Sequence, residues 1–105
     1  MPTPLTPTAR VRTTVDGAAV VLTVRGALDV DAGRVLLAAV ADAVAAGGHR
    51  LDIDLSGIDA FDDAGAAALL ACRDAGEQLA GGLHYRTCSG GPGQEVLLRA
   101  YADEA

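Results

Sequence analysis

Apolar and polar positions alternate from the first ordered-looking stretch of the chain. Val11, Thr13 and Val15 alternate with Arg12 and Thr14, which predicts a strand, and Asp16-Gly17 is a hairpin turn signal. Ala18 to Val24 follows, β-branched and apolar on both faces, as a central strand does, with Gly26 expected to close it. Asp29 or Asp31 then offers an N-cap, and Leu36, Leu37, Val40, Ala43 and Val44 recur at helical spacing until Gly47-Gly48. Leu51, Ile53 and Leu55 alternate with Asp52 and Asp54, a short strand expected to end in a Ser56-Gly57 turn. A second helix is predicted from Asp62 or Asp63 through Leu69 and Leu70 towards Leu79, stopped by Gly81-Gly82. Leu83, Tyr85 and Thr87 alternate with His84, Arg86 and Cys88, a fourth strand. After Ser89–Gly93 a last short helix carries Val96, Leu97, Ala100 and Tyr101.

The order is therefore β-β-α-β-α-β-α, with no internal repeat. Strands separated by helices imply parallel pairing through right-handed crossovers, and the leading hairpin adds an antiparallel pair. The expectation is one α/β domain, with a mixed sheet of four or more strands and helices packed on it. Residues 1–8, with three prolines and three threonines, read as a flexible arm, leaving 9–105 as the domain.

Composition narrows the chemistry. The chain has 105 residues, 22 of them alanine, with one Phe, two Tyr and no Trp, so the core must be thin and built from Val, Leu, Ile and Ala. Fourteen acids against eight bases give a net charge of −6, and every base is arginine. Without lysine there is no Schiff base and no Walker-type phosphate clamp. It also removes the phosphoaspartate receiver reading, whose site needs a lysine and a metal. An acidic, aromatic-poor chain lacks the basic patches and stacking rings that nucleic acid requires. The longest apolar stretch, Val35–Ala46, is broken by Asp42 and too short to insert in a bilayer, and no targeting segment is visible. The chain reads as a small, soluble, cytoplasmic domain that is not an enzyme and holds no cofactor. Cys72 and Cys88 read as buried thiols, and His49 and His84 have no nucleophile at a suggestive spacing.

One segment stands above this background: Leu51–Ala71, LDIDLSGIDAFDDAGAAALLA. Asp52, Asp54, Ser56, Gly57 and Asp63 fall at the spacing of a calcium loop, but the alternating Leu51, Ile53 and Leu55 and the helix-breaking Gly47-Gly48 oppose it, so no metal is assigned. The N–H groups of Ala64, Gly65 and Ala66 fall in the first turn of the second helix, where the dipole attracts an anion. The small residues Ala64 to Ala68 would let another surface approach that backbone closely. The plain alternative is that Asp62 and Asp63 only cap the helix and the alanines only favour it.

Asp54-Leu55-Ser56-Gly57, Asp62-Asp63-Ala64-Gly65 and the upstream Gly26-Ala27-Leu28-Asp29 resemble the D-L-S-G, D-S-S-G and G-x-L-D segments of the STAS domain, particularly small bacterial anti-sigma factor antagonists. The resemblance runs roughly from Val11 to Leu98. It implies a protein-binding regulator of transcription that docks on an anti-sigma factor or related kinase-fold partner. Ser56, Gly57, Asp62, Asp63, Ala64 and Gly65 would form the partner-binding surface. In the family the second serine of D-S-S-G is phosphorylated by that partner. Here Ala64 holds that position, so the phosphoacceptor is absent, and Asp63 replaces the serine before it. The alternative the resemblance allows is a STAS-like accessory subunit of a larger assembly, such as a membrane transporter complex.

Overall fold

The computed structural model describes residues 11–17 and 19–102, so the expected N-terminal arm lies outside the described residues. The chain runs β1 (Val11–Asp16), β2 (Ala19–Leu28), α1 (Val30–Ala45), β3 (Arg50–Phe61), α2 (Asp63–Gly76), β4 (Leu83–Arg86) and α3 (Pro92–Tyr101). The strands lie side by side in that order. β1 pairs antiparallel with β2, while β2–β3 and β3–β4 are parallel. The α/β class, the mixed sheet and the element order are those the periodicity predicts.

Strand alternation assigns the two faces. Leu22 and Val24 from β2 and Leu51, Ile53 and Leu55 from β3 are fully buried, in one cluster with Leu36 and Val40 of α1, Leu69 and Cys72 of α2 and Val96 of α3. All three helices thus bury their apolar stripes on one face of the sheet, in a two-layer fold. Alanine makes that thin layer possible. The Cα of Gly33 in α1 comes so close to α2 that a Cβ there would sit 2.7 Å from the Cβ of Ala68. The opposite face carries polar side chains, among them Arg12, Thr23, Asp52, Asp54 and Arg86, placed there by the register.

Two boundaries differ from expectation, for one reason. Gly26 does not close β2 and Ser56-Gly57 is not a turn; β2 continues to Leu28 and β3 to Phe61. The register between them slips at Thr23/Arg25 and again at Gly26/Ala27, each time adding a residue on β3. These are β-bulges. Gly26 takes φ +80°, which only glycine adopts cheaply. At the first bulge the Asp54 carboxylate accepts from the Ser56 N–H (2.9 Å) and the Ser56 hydroxyl (2.6 Å). Bulges use the same short polar residues and glycines as turns, which is why the motif read as one.

The third difference is the end of α2. It stops at Gly76, and Leu79 turns inward beyond it as a buried residue. The Leu83 side chain crosses so near Gly76 that a Cβ there would meet its Cδ1 at 2.6 Å. The predicted arrival at Leu79 thus becomes a turn that lets Leu83 enter β4. That turn is pinned by the Gly81 N–H donating to the His49 carbonyl (2.7 Å) and the Leu51 N–H to Gly82 (3.1 Å). Among the described residues, no helix is long and apolar enough to cross a membrane.

Candidate functional site

The extended bulged strands deliver the chain to the start of α2. There the two adjacent carboxylates part company. Asp62 is the N-cap: its backbone is extended, and its carboxylate accepts from the Gly65 N–H at 2.8 Å. Its own N–H donates to the Leu28 carbonyl (3.3 Å), tying the helix start to the end of β2. α1 begins the same way, with Asp29 rather than Asp31 as cap, accepting from the Ala32 N–H at 3.0 Å.

Asp63 is not the cap. Its carboxylate reaches sideways to Arg99 of α3, 2.6 Å away across 36 positions of sequence. Both groups are exposed, so the pair adds only about 0–1 kcal/mol of stability. Its effect is local: it neutralises the charge nearest Ala64.

Two of the three donors of the expected anion cradle are therefore engaged from within. Of the three N–H groups assigned to it, Gly65 is taken by the Asp62 side chain and Ala66 by the Asp62 carbonyl (3.0 Å). Gly65 also faces inward. A Cβ on it would lie 2.0 Å from the Leu28 carbonyl oxygen, so its smallness serves the helix–strand junction rather than an incoming partner. Asp62, Asp63, Ala64 and Ala67 are exposed, while Gly65 and Ala66 are buried. Ser56 and Gly57 are exposed on β3, five or more residues of extended chain before this helix start, so the two halves of the motif do not converge.

The periodicity gave no hint of the groove beside Ala64. Asp63, Ala66, Ala67 and Leu70 of α2 and Arg99 and Ala100 of α3 enclose about 280 Å³. Beside it stands a half-buried tyrosine: the Tyr85 hydroxyl on β4 donates to the Leu69 carbonyl (2.8 Å), and its ring meets Tyr101 of α3 edge-on at 6.3 Å. Burial, then the neighbouring Tyr101, pushes the Tyr85 hydroxyl well above its usual range, so it stays a donor. Arg73 of α2 stacks on Tyr101, 5.3 Å from the ring centre. Sequence carried one faint signal for this groove: Arg99 is the single base of α3, in its last turn.

The remaining candidates sort simply. The Cys72 thiol is buried and its pKa pushed up to about 12, leaving it inert, whereas Cys88, expected buried, is exposed because β4 ends at Arg86. The acids of the calcium-like spacing are engaged elsewhere. Asp54 serves Ser56, and Asp52, 2 % exposed on the polar face, is gripped by Arg50 (2.9 Å) and Arg86 (2.7 Å). His49 and His84 are exposed, and His84 Nε2 lies 3.0 Å from the Gly81 carbonyl. Among the described residues, no three His, Cys, Asp or Glu side chains gather where they could hold a metal.

Known proteins share this architecture. An anti-sigma factor antagonist from Mycobacterium paratuberculosis superposes with a TM-score of 0.72 at 20% identity, over 94% of this chain and 85% of that one. The anti-sigma factor antagonist SpoIIAA in its unphosphorylated form gives 0.63 at 19% identity, over 85% and 81%. Mglu gives 0.68 at 18% identity over 79% of this chain, which spans only 21% of the Mglu chain. No curated protein sequence matches the chain. A family model described as "Mlab, STAS domain" does match, over residues 11–102, from the first residue of β1 to just past the end of α3. The chain belongs to the STAS domain family.

Proposed function

We propose that this domain is a non-enzymatic, cytoplasmic regulator of transcription that docks on an anti-sigma factor or related kinase-fold protein. The docking surface is the start of α2 together with the α2–α3 groove. One observation carries this reading. Ala64, at the position of the family's phosphoserine, is exposed in the first turn of α2, and the charge beside it is paired with Arg99. A phosphate on that position would add roughly −1.5 to −2 charge where a partner must sit closely. Alanine keeps the position permanently uncharged.

Asp63 is the obvious objection, since an acid next to the acceptor position resembles a phosphate mimic. Its carboxylate is turned towards α3 and neutralised there, one residue early and with half the charge of a phosphate. The domain is thus always binding-competent. The contact surface becomes Asp62, Asp63, Ala64 and Ala67 with Arg99. Gly65 contributes by seating the helix, and Ser56 and Gly57 by holding the bulge that aims it.

The test is capture with the chain as bait, followed by titration with the purified kinase-fold protein recovered. Wild type and Asp63→Ser are expected to bind within about a factor of ten, or 1.4 kcal/mol, and Ala64→Asp more weakly. A hundredfold gain in Asp63→Ser makes Asp63 the mimic and reverses the sign. Recovery of transporter subunits in place of a kinase-fold protein would replace this reading with the accessory-subunit one.

A further inference from the structure

Among the described residues, β1 is the outer strand of the sheet, bonded to β2 on one side only. Every other backbone N–H and C=O along it faces outward, a template for another strand. Such edges are normally blunted by proline, lysine, a bulge or a covering helix. β1 has no proline or lysine, its six residues pair with β2 without a register break, and five of the six are exposed. Its charges, Arg12 and Asp16, make no ion pair among the described residues.

We propose that this edge takes up a second copy of the same chain, antiparallel and centred on Thr14, so that two four-stranded sheets join into one of eight strands. The symmetry restricts the register. A two-fold axis perpendicular to the sheet requires paired residues to share a face, so the centre must fall on a residue. Centring on Thr14 sets Arg12 opposite Asp16 of the second copy, and Asp16 opposite its Arg12. Both pairs stand on the polar face, where β1–β2 register places these two side chains. Shifting the centre to Thr13 or Val15 sets Arg12 against Thr14 or Asp16 against Thr14, and the charge match within β1 is lost. On the helix-bearing face, Thr13 meets Val15, which is 74% exposed in the single copy. Val15 also rims a groove of about 480 Å³ with Val20, Ala39 and Ala43, so the joint places two apolar grooves side by side.

A six-residue pairing buries less than the roughly 1,000 Å² expected of a tight interface. The association is therefore weak, with a Kd on the order of 0.1 mM. It draws on no residue of the α2–α3 groove, so it stands or falls independently of the proposed docking function.

Sedimentation equilibrium on the full chain, from about 10 μM to about 1 mM, is the experiment. The apparent mass should climb from the 10.5 kDa monomer towards the dimer. Arg12→Asp and Asp16→Arg should each weaken association about tenfold or more, because each single reversal opposes like charges twice across the two-fold axis. The double variant Arg12→Asp/Asp16→Arg should return to within about threefold of wild type, as should an equimolar mixture of the two single variants. Thermal melts confirm that these surface variants remain folded. A wild type that stays monomeric to about 1 mM overturns the proposal. So does a dimer indifferent to either reversal, or a double variant as weak as the singles.

Discussion

Replacing Asp52 by Asn tests the charged knot on the polar face of the sheet. Asp52 sits there almost without water, held by Arg50 at 2.9 Å and Arg86 at 2.7 Å. Breaking a fully buried ion pair costs about 3–5 kcal/mol, because an uncompensated charge is left inside. That range does not apply here. The charges left behind would be guanidiniums that are 46% and 51% exposed and recover water at once. Charged hydrogen bonds are worth about 1.5–3 kcal/mol, and solvent screening at the arginine end reduces the pair of them to about 2 kcal/mol in total. Urea melts at neutral pH should therefore show the midpoint falling by about 1.3 M, with a slope of roughly 1.5 kcal/mol/M. The pH dependence follows from the titration. Burial pushes the Asp52 carboxyl up, but the hydrogen bonds and charges of Arg50 and Arg86 outweigh it, and the group ends below its ordinary value of 3.8. A depressed carboxylate stabilises the fold fully above the unfolded-state value and loses that stabilisation as pH falls through the folded-state one. The gap between wild type and Asp52→Asn should stay constant between about pH 7 and about pH 5 and close below about pH 3.5. An Asn variant as stable as wild type at neutral pH, or a gap unchanged in acid, refutes the reasoning.

Three further outcomes are expected. Asp62→Ala should lose about 1 kcal/mol, or roughly 4–8 °C in Tm, through the missing cap, and Gly65→Ala should lose more, roughly 3 kcal/mol, because its Cβ meets the Leu28 carbonyl. A Gly65→Ala variant that gained the usual helix benefit of alanine would show that the junction yields. A cognate anti-sigma kinase with ATP should leave the Asp62–Gly65 peptide of wild type unmodified and phosphorylate Ala64→Ser; phosphopeptide mapping checks both. Millimolar calcium should leave Tm unchanged, since Asp52 is committed to two arginines; a rise of about 10 °C that Asp52→Ala abolishes would restore the calcium-loop reading.

Local signals made the element order legible. Gly47-Gly48, Asp16-Gly17 and the period-two run Leu51-Ile53-Leu55 each announce an element within a few residues, and all sit where expected. What escaped depends on contacts remote in sequence. Alternation placed Asp52 on the face opposite Leu51, but nothing local says that Arg86, 34 positions on, would seal it from water. The same holds for Asp63: two adjacent acids at a helix start are equally good caps on paper. The tie of the Asp62 N–H to the Leu28 carbonyl, remote in sequence, fixes Asp62 as the cap, and Asp63, one residue on, reaches Arg99 of α3. The bulge failed differently, since Ser56-Gly57 satisfies a turn and a bulge by the same chemistry.

The four residues at the start of α2 divide their work, and the division explains which of them can vary. Asp62 and Gly65 face the fold: one caps the helix and is anchored to Leu28, the other lets the Leu28 carbonyl come in. Changing either moves the helix. Asp63 and Ala64 are exposed, and neither side chain makes the cap or the close approach to Leu28 on which the junction rests. In this chain the inward pair is Asp62 and Gly65 and the outward pair is Asp63 and Ala64. The Asp63–Arg99 pair then determines what the outward surface presents. With Arg99 in place, the first turn shows a neutral pair and two alanine methyls. Removing Arg99 would expose an unpaired carboxylate beside Ala64, so Arg99→Ala should weaken partner binding while leaving stability within about 1 kcal/mol of wild type. Loss of binding in Arg99→Ala that Asp63→Ser then restores would locate the effect in that carboxylate. If Asp63→Ser does not restore it, Arg99 itself contacts the partner.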